Sequence, residues 1–197
     1  EYNHTLASYD ASGKVLGALF HSITPRTAGF NTIPTAELRP ASKFMTILLM
    51  FIGASPASTG GGIKTMTAFV ILLAGISVMR GREEAEVFKK RISRDIVFRA
   101  LSIVLVSFTV LFAITICLTL IEQHPFVDLL FETGSALGTV GLATLNTGGL
   151  ADLSKGLLVF VMFMGRVGPL TLTLAFARRK TITHSGIHFP EGKVMVG

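Results

Sequence analysis

Two short segments of this chain have the residue types and spacing to do chemistry: Thr27-Ala28-Gly29-Phe30 and Thr139-Val140-Gly141-Leu142. Neither contains a nucleophile beside a base. What each offers is main-chain oxygen, because a glycine reaches positive φ without a steric penalty and can turn its neighbours' carbonyls to one side. Carbonyls converging on an axis replace the water shell of a monovalent cation without bringing formal charge. The expected chemistry is therefore binding of a bare alkali ion, K+, at Gly29 and Gly141. The filter positions are Thr27, Ala28, Gly29 and Phe30 with Thr139, Val140, Gly141 and Leu142, and the threonine hydroxyls add to the carbonyl set.

The two segments belong to an internal repeat. At a constant offset of 112 residues, Thr27, Gly29 and Thr32 align with Thr139, Gly141 and Thr144, Lys43 with Lys155, Met50-Phe51 with Met162-Phe163, and Gly53 with Gly165. Beyond each filter segment an apolar run is interrupted. In the first copy the break is Gly53-Ala54-Ser55-Pro56-Ala57-Ser58-Thr59-Gly60-Gly61-Gly62, where Pro and four glycines exclude a continuous helix. In the second it is Gly165-Arg166-Val167-Gly168-Pro169. Non-helical backbone at membrane depth is tolerated only where it lines a watery cavity or is buried in protein. Residues Ala54, Ser55, Pro56, Ala57, Ser58, Thr59, Gly60, Gly61 and Gly62 are thus candidates for a gate beneath the filter. Arg166, a charge inside an apolar run, is expected to face them, since such charges are costly unless they serve the interior. Lys64 has two readings: a charge at the inner end of the break, or a side chain snorkelling to the cytoplasmic interface.

Other motifs fall away. Gly60-Gly61-Gly62-Ile63-Lys64-Thr65 lacks the glycine directly before lysine that a phosphate-binding loop needs. His184 and His188 have no metal-ligand spacing. His21 and Glu132 fall on the pore half-helices and are expected to be solvated. Cys117, the only cysteine, lies in an apolar span and is expected to be inert packing. No catalytic constellation emerges, so the chain is not expected to be an enzyme.

The elements that must position these residues follow from hydropathy. Half the 197 residues are hydrophobic, 15% are charged and mean hydropathy is +0.62, outside the range of soluble domains. Residues 96–121 and 156–177 are long enough to cross a bilayer. Short apolar segments at 13–22 and 125–137 are too short to cross and read as re-entrant half-helices, Pro125 starting the second and Asp128 suiting its first turn. Both run into a Thr-x-Gly loop, so their negative C-terminal ends face the cavity and favour cations. The net charge of +6 gathers at span ends, in Arg80, Arg82, Lys89, Lys90, Arg91, Arg94 and Arg99 and in Arg178-Arg179-Lys180. The positive-inside rule then places that linker and the C-terminus in the cytoplasm, and no nucleic-acid partner is needed to explain the charge. The first copy lacks the apolar helix that precedes the second, so the chain is expected to be the C-terminal part of a longer protein.

Taken together, the Thr24-to-Thr32, Gly53-to-Thr65, Thr139-to-Thr144 and Gly165-to-Pro169 segments resemble the third and fourth repeats of the Trk/Ktr/HKT superfamily of potassium transporters, most closely its bacterial KtrB-type membrane subunits. The resemblance implies an all-α integral membrane fold of helix–pore loop–helix repeats, with re-entrant half-helices and a broken inner helix. It divides the chain into a third repeat at 1–80, a cytoplasmic basic linker at 81–95, a fourth repeat at 96–180 and a tail at 181–197. It further implies a plasma-membrane homodimer carrying K+, with Na+ assisting, on a cytosolic KtrA-like RCK ring whose ATP and ADP states control the gate; the nucleotide is bound by that partner and not by this chain. Two rivals remain: a secondary transporter binding another solute on half-helix N-termini, or another monovalent cation channel. A structural subunit with degenerate pore loops is a third.

Overall fold

The computed structural model describes residues 1–56, 58, 60–81, 86–87 and 90–168. Among the described residues, six α-helices carry the fold. The first, α1 (Ala11–Ile23), starts at Asp10, whose carboxylate accepts from the Gly13 N–H at 2.9 Å. A helix opened by Pro40 at its first position, α2 (Pro40–Phe51), precedes the break, and α3 (Thr65–Met79) follows it. The long α4 (Arg94–Ile121) leads to the half-helix α5 (Phe126–Gly138) and then to α6 (Asp152–Val167). A minimal antiparallel hairpin in the basic linker pairs β1 (Glu86–Val87) with β2 (Lys90–Arg91), a detail absent from the sequence reading. The expected span at 156–177 is helical through Val167 and capped by Gly168, and its remainder from 169 onward, with the basic residues at 178–180 and the tail histidines, lies outside the described residues.

At 28 residues, α4 is roughly 42 Å long by helical rise and crosses a hydrocarbon layer with length to spare. Its buried residues, Ala100, Ser107, Leu111, Thr115 and Leu118, form one stripe, while Leu105, Phe108 and Leu120 point outward. A helix apolar on both faces is suited to lipid on one side and protein on the other. Four of its five hydroxyls behave accordingly, while the buried Ser107 Oγ has no hydrogen-bond partner among the described residues. Ser102, Thr109, Thr115 and Thr119 each donate to the carbonyl four residues back, at 2.7–2.9 Å, which satisfies them without water.

The repeat is visible as geometry. Short 3-10 turns at Thr35–Glu37 and Thr147–Gly149 occupy the same place in each copy, at the offset the sequence carries. The two half-helices differ in surroundings. Every residue of α5 from 129 to 138 is buried, because α2, α4 and α6 pack around it, whereas α1 buries none. The core lies around α5, with Met50 from α2, Leu118 from α4 and Val161 from α6 closing on Leu129, Phe131 and Leu137.

An ion pair joins the copies at this core. Lys43 Nζ of α2 donates to Asp128 Oδ1 in the first turn of α5 at 2.6 Å, with side chains only 11% and 14% exposed. Removing one partner of such a pair strands a desolvated charge, at a cost of about 3–5 kcal/mol, whereas replacing both with apolar groups is close to neutral. Lys43→Met is therefore expected to lower the melting temperature of the purified full-length protein markedly, and Lys43→Met with Asp128→Leu to recover most of it. A double variant as unstable as the single would refute the pairing.

Candidate ion pathway

Each Thr-x-Gly loop is tied back to the C-terminal end of the helix before it. In the first copy, the Ala28 and Gly29 N–H groups donate to the Thr24 carbonyl at 3.1 and 3.2 Å. The buried Thr24 hydroxyl donates to the Phe30 carbonyl at 2.7 Å, so that oxygen is turned to its own half-helix. In the second copy, the Val140 N–H donates to the Ser135 carbonyl at 2.9 Å and the Gly141 N–H to Ser135 Oγ at 3.2 Å.

The glycines of both loops have the expected positive φ, 75° at Gly29 and 96° at Gly141. The threonines two residues earlier share it, Thr27 at φ 69° and Thr139 at 52°. No sequence rule anticipates this. For a β-branched residue the conformation is an outlier that stores about 1–3 kcal/mol, and such residues cluster where function demands a fixed shape.

The two loops face each other. A β-carbon built on Gly29 would stand 2.1 Å from the Val140 carbonyl oxygen, and one on Gly141 would be 3.9 Å from the Gly29 Cα. A cross-repeat hydrogen bond from the Thr35 hydroxyl to the Ala143 carbonyl stitches the segments leading away from them. Glu132 corrects the sequence expectation of a solvated carboxylate. It is 4% exposed, and its Oε1 accepts from the N–H groups of Thr144 at 2.7 Å and Leu145 at 3.0 Å, clamping the descending segment to α5. His21 likewise bonds within the protein, with Nε2 3.2 Å from Thr46 Oγ1. Removing the clamp would leave two buried donors unpaired at about 1–3 kcal/mol each. Glu132→Ala is thus expected to cut ion uptake by the full-length protein at least tenfold, and Glu132→Gln, which keeps an acceptor oxygen, to cut it less; equal losses in an uptake assay would refute the clamp.

The interruption between α2 and α3 packs against the two Thr-x-Gly loops. Its neck is closed by main-chain bonds, Gly53 N–H to the Ile63 carbonyl at 2.9 Å and Thr65 N–H to the Ala54 carbonyl at 3.3 Å. The tip meets the strained threonines. The Gly61 N–H donates to Thr139 Oγ1 at 2.8 Å, and a β-carbon on Gly60 would stand 2.8 Å from Thr27 Oγ1. Lys64 folds back on the segment, where its Nζ donates to the Gly60 carbonyl and, at 3.2 Å, to the Ser58 carbonyl. Arg166 is exposed in the last turn of α6, adjoining Gly165, whose carbonyl is 3.0 Å from where a Gly61 β-carbon would be. Of the expected gate positions, Ala57 and Thr59 lie outside the described residues.

A long apolar helix, two half-helices ending in facing glycine loops, and a broken helix under them define the class: a helical membrane transporter. Within that class, the chain belongs to the TrkH family of cation transport proteins, whose family model matches residues 1–183. It is 40% identical to Ktr system potassium uptake protein B of Bacillus subtilis over all of this chain and 44% of that protein. Ktr system potassium uptake protein D of the same organism is 35% identical, over all of this chain and 43% of that protein. The potassium transporter TrkH from Vibrio parahaemolyticus shares the fold, with TM-score 0.73 at 22% identity, covering 85% of this chain and 38% of that one. The chain spans less than half the length of these curated relatives.

Proposed function

We propose that this chain supplies two pore repeats of a plasma-membrane potassium uptake protein. The observation that carries the reading is the juxtaposition of Gly29 with the Val140 carbonyl, two left-handed glycine loops meeting at the C-terminal ends of two half-helices. In this reading Thr27, Ala28, Gly29, Thr139, Val140, Gly141 and Leu142 present oxygen to dehydrated K+, and Phe30 contributes its carbonyl only if its bond to Thr24 opens. The half-helices' negative ends favour cations at the loops. A solute bound on half-helix N-termini is disfavoured, because both loops follow C-terminal ends.

The segment at 54–62, with Lys64 and Arg166, acts as the gate. Two subunits form a homodimer with the basic linker and C-terminus in the cytoplasm. A KtrA-like RCK ring, binding ATP or ADP, controls the gate, and Na+ assists the flux. The Ktr system names of the relatives support a multi-component assembly. The test is growth on limiting potassium of a strain lacking its own uptake systems, carrying the full-length gene with and without a ring partner. Rescue by both genes together is expected; no rescue with a membrane-localised protein would overturn the reading.

A further inference from the structure

Thr139 joins two parts of the pathway through one atom. Its Oγ1 accepts the Gly61 N–H at 2.8 Å, so the tip of the interrupting segment hangs from a filter residue. That residue is held in a left-handed conformation, and the arrangement around it is fixed from both sides. The Thr139 N–H donates to the Ala136 carbonyl at 3.1 Å, and a β-carbon on Gly61 would overlap Thr139 Cγ2 at 2.7 Å, so only glycine brings the donor this close. A threonine hydroxyl oxygen has two lone pairs and one proton. While the Gly61 N–H points at that oxygen, its positive end faces the space where a cation would approach the same lone pairs, and a cation is repelled. With the segment withdrawn, the oxygen is released to join the carbonyls as an ion ligand.

We propose that Thr139 is a positioning residue whose hydroxyl oxygen is bound alternately by the Gly61 N–H and by the permeating cation, so that occupancy of the innermost filter site and closure of the 54–62 segment exclude one another. This rests on reading the Gly141 loop as an ion filter. Linkage makes the effect reciprocal: the segment weakens cation binding by the same factor that the cation weakens closure. Permeant ion then helps to open its own path. The Thr27 hydroxyl, 2.8 Å from where a Gly60 β-carbon would be, forms the opposite stop for the segment.

The test uses full-length protein in proteoliposomes, with Cys117 and every cysteine outside this chain replaced by Ser, and Ser55→Cys as a reporter at an exposed position of the segment. The labelling rate by a water-soluble maleimide is measured in K+ and in choline. K+ is expected to change the rate several-fold in the parent. Thr139→Val should shift the choline rate about tenfold in the same direction and abolish the K+ response, with Thr139→Ala as a second variant of smaller volume. Thr139→Ser, which keeps the hydroxyl, should restore the parent's behaviour. Parent-like labelling with an intact K+ response in both the valine and alanine variants would overturn the shared-atom proposal. A rubidium-over-sodium uptake ratio, measured alongside, separates the two levels. Lost discrimination in the variants with unchanged labelling overturns the proposal alone, and a parent without discrimination overturns the filter reading beneath it.

Discussion

Gly29→Ala is expected to abolish potassium-selective uptake by the full-length protein, while Gly141→Ala leaves uptake measurable and lowers discrimination against sodium. Both positions have positive φ, so alanine is strained at either by about 1–2 kcal/mol. Space decides the rest. At Gly29 the new β-carbon would be 2.1 Å from the Val140 carbonyl oxygen, a main-chain atom of the opposing loop that cannot rotate aside as a side chain would. The two loops must separate, and the distances between their carbonyl oxygens lengthen. At Gly141 the nearest atom is the Gly29 Cα at 3.9 Å, ordinary contact, so the main change is a local turn of the loop. Rubidium uptake into proteoliposomes with sodium as competitor measures both quantities. A Gly29→Ala protein transporting at the parental rate, or a Gly141→Ala protein the more damaged of the two, would contradict the packing of the loops.

The second large effect belongs to the segment below. Gly61 has Thr139 Cγ2 at 2.7 Å and the Gly165 carbonyl at 3.0 Å from its virtual β-carbon, so Gly61→Ala does not fit between filter and α6. The neck bonds of Gly53 and Thr65 are untouched by the substitution, so the tip withdraws while the segment stays anchored. If this segment closes the path, Gly61→Ala should raise basal uptake several-fold and make it independent of any nucleotide-binding partner. Uptake measured with and without that partner checks the expectation, and a fall in basal uptake with intact folding would show that the segment is a support and not a barrier. The expectation differs from that for Gly29→Ala in sign, which makes the pair informative together.

Much of this architecture was legible in the sequence, and the reasons are physical. The repeat fixed where equivalent turns occur, as Thr35 and Thr147 show, and the glycine–proline run at 53–62 predicted a break that no helix could span. Positive φ at Gly29 and Gly141 followed from residue type. The same reasoning could not reach Thr27 and Thr139, because left-handed backbone at a β-branched residue is imposed by surroundings and not by local preference. Lys43 was aligned with Lys155, yet its partner Asp128 became evident only when α2 packed on α5; Lys155 meets Asp152 at the surface instead. Glu132 carried a signal that went unused. A carboxylate in the middle of an apolar half-helix is expensive to bury, so its presence there pointed to a fixed set of donors, which Thr144 and Leu145 supply. Lys64 shows the same limit, since a long side chain beside glycine carbonyls can fold back as easily as reach outward.

The enclosure of α5 bears on how the molecule is made. Two of the helices around it, α2 and α4, leave the ribosome earlier, and the third, α6, leaves later. A nascent polypeptide ending near residue 150 would therefore hold its second re-entrant piece with one flank uncovered. Full enclosure of α5, and of the turn carrying Gly141 that follows it, must wait for translation to pass Val167, which puts closure of this core among the last events of biosynthesis for this region.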